Sequence, residues 1–130
     1  MLKKVTENIA IQVETQFVPE ESAPERNHYF FAYKIKIENI GAESVQLLNR
    51  HWIIQDQTGH RQDVKGPGVV GKQPHLKPGE SFEYTSYCPL HTPIGSMQGS
   101  YEMLRTDGTR FLAEIPLFDL IMPGTQPVFH

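Results

Sequence analysis

Apolar side chains recur at every second residue of this chain, and no stretch shows the three-to-four spacing of a helix. From Asn8 to Val18, Ile9, Ile11, Val13 and Phe17 share one side, while Asn8, Gln12, Glu14 and Gln16 share the other. Successive side chains of a strand point to opposite faces, so the pattern predicts a strand that is buried on one face only. Tyr29 to Asn39 repeats it: Tyr29, Phe31, Tyr33, Ile35 and Ile37 alternate with Lys34, Lys36 and Glu38. Lysines on the second face suit a strand with one wet side.

Ser44 to Gln55 is a further strand, apolar on both faces at Trp52-Ile53-Ile54, as a central strand would be. Asp56-Gln57-Thr58-Gly59 reads as a turn and His60 to Val64 as a returning strand. Glu80 to Tyr87, Gln98 to Arg105 and Arg110 to Ile115 follow, the last two joined at Asp107-Gly108, a strong hairpin signal. Leu117 to Ile121 reads as a short edge piece, and Pro19 to Asn27 as a polar connection. About seven or eight short strands with turns every 8–12 residues predict an all-β fold, a two-sheet antiparallel sandwich of immunoglobulin or fibronectin type III kind. With 130 residues the chain is expected to be a single domain, 1–130, with 1–7 and 123–130 loose at the ends. One cysteine leaves no internal disulfide and suits a reducing compartment, so a cytoplasmic location is expected.

A net charge of -3 argues against a nucleic-acid binder working by bulk charge. No run approaches the roughly 20 apolar residues of a membrane span. Met1-Leu2-Lys3-Lys4-Val5-Thr6-Glu7 has no apolar signal-peptide core.

The motif that stands out is Gly66-Pro67-Gly68-Val69-Val70-Gly71. It matches the dinucleotide fingerprint, which works only where a helix follows and aims its N-terminus at the pyrophosphate. Here Pro74, Pro78 and Gly79 follow Gly71 closely and forbid that helix. Residues 66–79 are therefore expected to be an irregular excursion between antiparallel ribbons. Three readings remain for it. Gly66, Gly68 and Gly71 could turn backbone amides inward as an anion nest, reinforced by Lys65 and Lys72. The loop could instead be a surface for a protein partner, or a plain connection whose glycines serve positive φ.

Arg50 and Trp52 share one face of their strand, with His51 on the other. Trp52 is expected to fill the core. Arg50 on that face needs a carboxylate, a bound anion or an aromatic ring as partner, which makes it a candidate beside the loop. The six histidines show no metal-binding spacing, although His51 and His60 could meet across a hairpin. Cys88 with His91 lacks an orienting third group, and no nucleophile elbow exists. No catalytic set, metal site or cofactor is expected.

The chain resembles the ApaG family over nearly its whole length. The resemblance is carried by Phe31-Ala32-Tyr33-Lys34-Ile35-Lys36-Ile37-Glu38-Asn39, by Val45 to Ile54 with Asn49-Arg50-His51-Trp52, and by Gly66-Pro67-Gly68-Val69-Val70-Gly71-Lys72-Gln73-Pro74. Leu76 to Ser86 and the stretch from Gly95 to Tyr101 add to it. Tyr87 stands where the family pattern suggests a glycine, and Lys72 where an acidic residue is common. The resemblance implies a fibronectin type III-like sandwich and no established enzyme activity. Similar domains are appended to an F-box protein and to a DNA polymerase delta-interacting protein, which implies a protein-binding module. The family is linked genetically to cobalt and magnesium efflux, and its glycine loop, here Gly66, Gly68 and Gly71, has been proposed to bind pyrophosphate. The expected function is thus a non-catalytic module that binds an unidentified protein partner, with a phosphate, pyrophosphate or nucleotide sensor as the alternative. An open sheet edge could also pair two copies as a homodimer.

Overall fold

The computed structural model describes residues 2–125. It is all-β, two antiparallel sheets packed face to face. Among the described residues the strands are β1 (Leu2–Thr6), β2 (Ile9–Phe17), β3 (Tyr29–Asn39), β4 (Val45–Asp56), β5 (Arg61–Pro67), β6 (His75–Leu76), β7 (Ser81–Leu90), β8 (Ile94–Arg105) and β9 (Arg110–Ile121). One sheet has the order β1-β2-β3-β7; the other has β5-β4-β8-β9, with β6 also paired to β4.

The alternation in the sequence becomes the register of these sheets. Ile11 lies opposite Ile37, Val13 opposite Ile35 and Ile35 opposite Tyr84, all buried. Leu47 faces Met103, and Tyr101 pairs with Arg50. Trp52 fills the space between the sheets, 3 % exposed, with its ring edge-on to Tyr33, Tyr101 and Phe118. Burying an aliphatic side chain contributes about 1.5–3 kcal/mol, so this layer holds the sheets together. Among the described residues, Asn39 is the buried polar exception. Its amide donates to Glu43 O (2.7 Å) and Leu76 O (3.0 Å), and its Oδ1 accepts from Gly41 N–H (3.0 Å), tying the β3–β4 turn to β6.

Three details differ from the sequence reading. Residues 2–6 are not loose: they pair with β2 in the register Leu2↔Val13 to Thr6↔Ile9. The pairing closes one flank of the sandwich, where Lys4 pairs with Glu114 and Thr6 Oγ1 accepts from Glu114 N–H (3.2 Å). Second, Arg110 to Ile121 is one strand. Pro116 does not break it because the β8–β9 register shifts between Met97 and Gly99, a bulge that frees the prolyl position from the ladder. Third, the polar connection 19–27 holds two single 3₁₀ turns, Pro19–Glu21 and Pro24–Arg26, each starting on its proline. At the other end, Thr125 N–H closes a turn on Met122 O (3.1 Å); residues 126–130 of the segment expected to be loose lie outside the described residues.

Candidate functional site

β5 and β6 lie along the same flank of β4, as Asn49↔Pro67 and Gln46↔His75. They are one strand interrupted by the glycine motif. β4 bulges where the interruption falls, with a register shift between Leu47 and Asn49. The bulge leaves Leu48 O to accept from Gly68 N–H (2.8 Å) and from the Gln73 side-chain amide (2.9 Å). Leu47 N–H donates to Pro74 O (3.0 Å), so both ends of the excursion are fastened to β4.

Between the fastenings the chain reverses within four residues. Val69 N–H donates to Lys72 O (2.8 Å) and Lys72 N–H to Val69 O (2.9 Å). Val70 and Gly71 occupy the two central positions with φ of 42° and 78°, the signature of a type I′ hairpin turn. Gly68, at φ 62°, has no room for a side chain: a Cβ there would lie 2.2 Å from Lys72 O. No helix follows Gly71, so the excursion is irregular, as the prolines require. The amides of Gly68, Val69 and Lys72 are all bonded within the protein.

The two valines behave oppositely. Val69 is 1 % exposed and belongs to the core, anchoring the turn. Val70 is 55 % exposed at the apex. A β-branched residue at positive φ is a genuine outlier, because its side chain crowds the backbone there.

Arg50 is the clamp of the loop. Its Nη1 donates to Pro67 O (2.9 Å) and Gly68 O (3.0 Å). The guanidinium lies over Gly66, where a Cβ would come within 3.0 Å of Nη2. The partner that Arg50 needs is therefore a pair of loop carbonyls rather than a carboxylate or a ring. Behind it the Tyr84 and Tyr101 hydroxyls hydrogen-bond across the two sheets. Burial raises the pKa of Tyr33, Tyr84 and Tyr101 above the usual phenol value, so they stay neutral hydroxyls. Burial also pushes the Cys88 thiol up to about 11, which makes it an inert packing group.

Lys65 lies elsewhere, on the outer face of β5. There it borders a groove of about 450 Å³ that Arg50 and Gly66 also line, with Asn49, His51, Pro67, Ser100, Glu102 and Leu112. His51 does not meet His60. The register puts it opposite Lys65, and its Nε2 lies 2.8 Å from Asp63 Oδ2. Arg61, then His51, hold the Asp63 carboxyl well below the usual carboxylate range. Lys72 is exposed at the base of the turn. The structure thus joins Arg50, Gly66 and Gly68 in one clamp, and Lys65 meets Arg50 and Gly66 along the groove beside it. Sequence reasoning missed the groove, which needs four strands in register; the alternation around His51 was its visible trace. Among the described residues, no three His, Cys, Asp or Glu side chains gather to hold a metal ion. Nor is any helix of the described residues long and apolar enough to cross a membrane.

A family model described as the ApaG domain matches residues 19–105, a span that holds the clamp, the turn and the bulge of β4. The chain belongs to the ApaG family. The Protein ApaG of Methylorubrum populi is 55 % identical over 130 residues, covering the whole of both chains. That of Methylobacterium sp. (strain 4-46) is 52 % identical over the same length. A crystal structure of a Bordetella pertussis protein described as ApaA superposes with a TM-score of 0.87 at 48 % identity, covering 90 % of this chain and 95 % of the other.

Proposed function

We propose that this ApaG protein is a non-catalytic binding module of the cytoplasm, and that the turn 69–72 is the element a protein partner reads. The apex carries the reading: Val70 is held at φ 42° with 55 % of its surface exposed, on a turn fixed by Val69, Arg50 and Leu48. Strain in an over-determined segment is characteristic of sites that present a group to a partner. A rigid apex also binds without an ordering cost. The phosphate-sensor reading has less support, since the Gly68, Val69 and Lys72 amides already have acceptors and Arg50 already holds two carbonyls. A part in cobalt and magnesium efflux is supported by the family resemblance alone, and would be exerted through the partner.

The test is affinity capture from the native cell with wild type and Val70→Asn as baits. Asn suits positive φ, so the variant keeps the turn and removes only the isopropyl group. The reading predicts a partner captured by wild type and lost with the variant. Equal capture by both baits refutes the apex as the recognition element. An unchanged cobalt tolerance after gene deletion removes the efflux role.

A further inference from the structure

The four sheet edges of this sandwich are not equally protected. β1 and β9 close on each other through Lys4–Glu114 and the Thr6–Glu114 hydrogen bond. The β5 edge is short, carries Arg61, Asp63 and Lys65 at alternate positions, and ends in Gly66-Pro67. Such charges and breaks are how proteins prevent strand addition. β7 is different. It is an edge strand of 10 residues whose one charge is Glu83.

Among the described residues, the hydrogen-bond pattern says which β7 groups are open. Val18 N–H donates to Phe30 O, so the even residues of β3 bond β2; Asn39 N–H donates to Glu80 O, so its odd residues bond β7. In an antiparallel ladder these roles alternate. Register then places the even residues of β7 against β3, as in Tyr33↔Ser86 and Ile35↔Tyr84. The backbone groups of Ser81, Glu83, Thr85, Tyr87 and Pro89 point away from the sheet, and all these residues are exposed. Pro89 fits this assignment, since its missing N–H falls where β3 asks for none.

We propose that this edge pairs with the same edge of a second copy, antiparallel about a two-fold axis through Thr85. The strand is self-complementary in that register. Thr85 bonds its own symmetry mate in both directions, and Glu83 and Tyr87 exchange bonds with Tyr87 and Glu83 of the other copy. Ser81 N–H meets Pro89 O, so every outward donor finds a carbonyl. The lone charge, Glu83, faces the Tyr87 side of the mate rather than its own copy, and no like charges oppose each other. Tyr87, 58 % exposed and stacked on Phe30 (5.4 Å between centroids), supplies apolar area beside that contact. One strand per copy is small beside the roughly 800 Å² per partner of a stable interface, so the dimer is weak and fills at high concentration.

Sedimentation equilibrium up to millimolar protein, paired with amide hydrogen exchange by NMR, tests this. The expected result is a mass that rises toward the dimer while the Glu83, Thr85 and Tyr87 amides gain at least about tenfold protection with concentration. Thr85→Lys sets two lysines against each other across the axis; it is expected to remain monomeric and folded, with a thermal midpoint slightly lowered by Lys34 opposite it in its own copy. Three outcomes overturn the proposal. They are a wild type that stays monomeric throughout, a dimer whose Glu83, Thr85 and Tyr87 amides exchange freely, or a Thr85→Lys variant that associates as wild type does.

Discussion

Replacing Val70 by Asn is expected to make the protein more stable while costing it recognition. The left-handed conformation costs a residue with a Cβ about 1–2 kcal/mol, and Val70 occupies it at φ 42°. Asn tolerates that region because its short polar side chain bonds locally. Against this gain stands the buried part of the isopropyl group. With 55 % of the residue exposed, less than half of a valine's burial energy is lost, roughly 0.7 kcal/mol. The net gain is about 0.3–1.3 kcal/mol. An unfolding entropy of about 2.1 cal/mol/K per residue makes that a rise of roughly 1–5 °C in the thermal midpoint. Differential scanning calorimetry at fixed pH and protein concentration reads it directly. A midpoint that stays put or falls means that the apex is relaxed, and the argument that valine is retained there for display fails.

Gly68→Ala is expected to cost about 2–4 kcal/mol, because a Cβ 2.2 Å from Lys72 O must push the turn open at a positive φ; chemical denaturation checks it, and a loss below half a kilocalorie refutes the close approach. Arg50→Met leaves the Pro67 and Gly68 carbonyls without their donor, for a loss of about 1–3 kcal/mol and faster exchange at the Gly68 and Val69 amides, read by NMR. Tyr84→Phe and Tyr101→Phe each strand a buried hydroxyl at about 1–2 kcal/mol, whereas the double variant costs less than their sum, so a double-mutant cycle by urea unfolding shows a coupling. Cys88 keeps its proton up to about pH 11 when folded but loses it from about 9.0 when unfolded. Its contribution to stability is therefore full below pH 9.0 and declines between there and about 11, as do those of the three buried tyrosines from their own phenol range upward; a denaturation series across that window checks the sign.

The fold was legible because burial writes a period of two into a half-buried strand. Tyr29 to Asn39 was delimited to the residue by its own alternation and the turn that follows. Leu2 to Thr6 was not, since its side chains are mostly exposed and its partner is reached only through the Glu7–Asn8 turn. β6 has two residues, too few for any periodicity. For the site, the prolines after Gly71 excluded a helix correctly, because the conflict is local. The spacing of the glycines could not show which of them is irreplaceable. That depends on Lys72 O beside Gly68 and on Arg50 over Gly66, contacts set by the bulge at Leu48. Nor could it distinguish Val69 from Val70, neighbours of one type with opposite fates. Arg50 was singled out for standing on an inward face, but its carbonyl partners lie at positions 67 and 68, beyond a hairpin.

The central claim is that the Gly68, Val69 and Lys72 amides are tied up within the turn, from which we propose that the glycine motif is not an anion cradle. An amide-resolved NMR titration with inorganic pyrophosphate up to millimolar concentration tests it most directly. Slow exchange at the Gly68, Val69 and Lys72 amides, with resonances that do not move as pyrophosphate is added, is the predicted result. Saturable shifts centred on those amides, accompanied by release of the Arg50 guanidinium from Pro67 and Gly68, would contradict it.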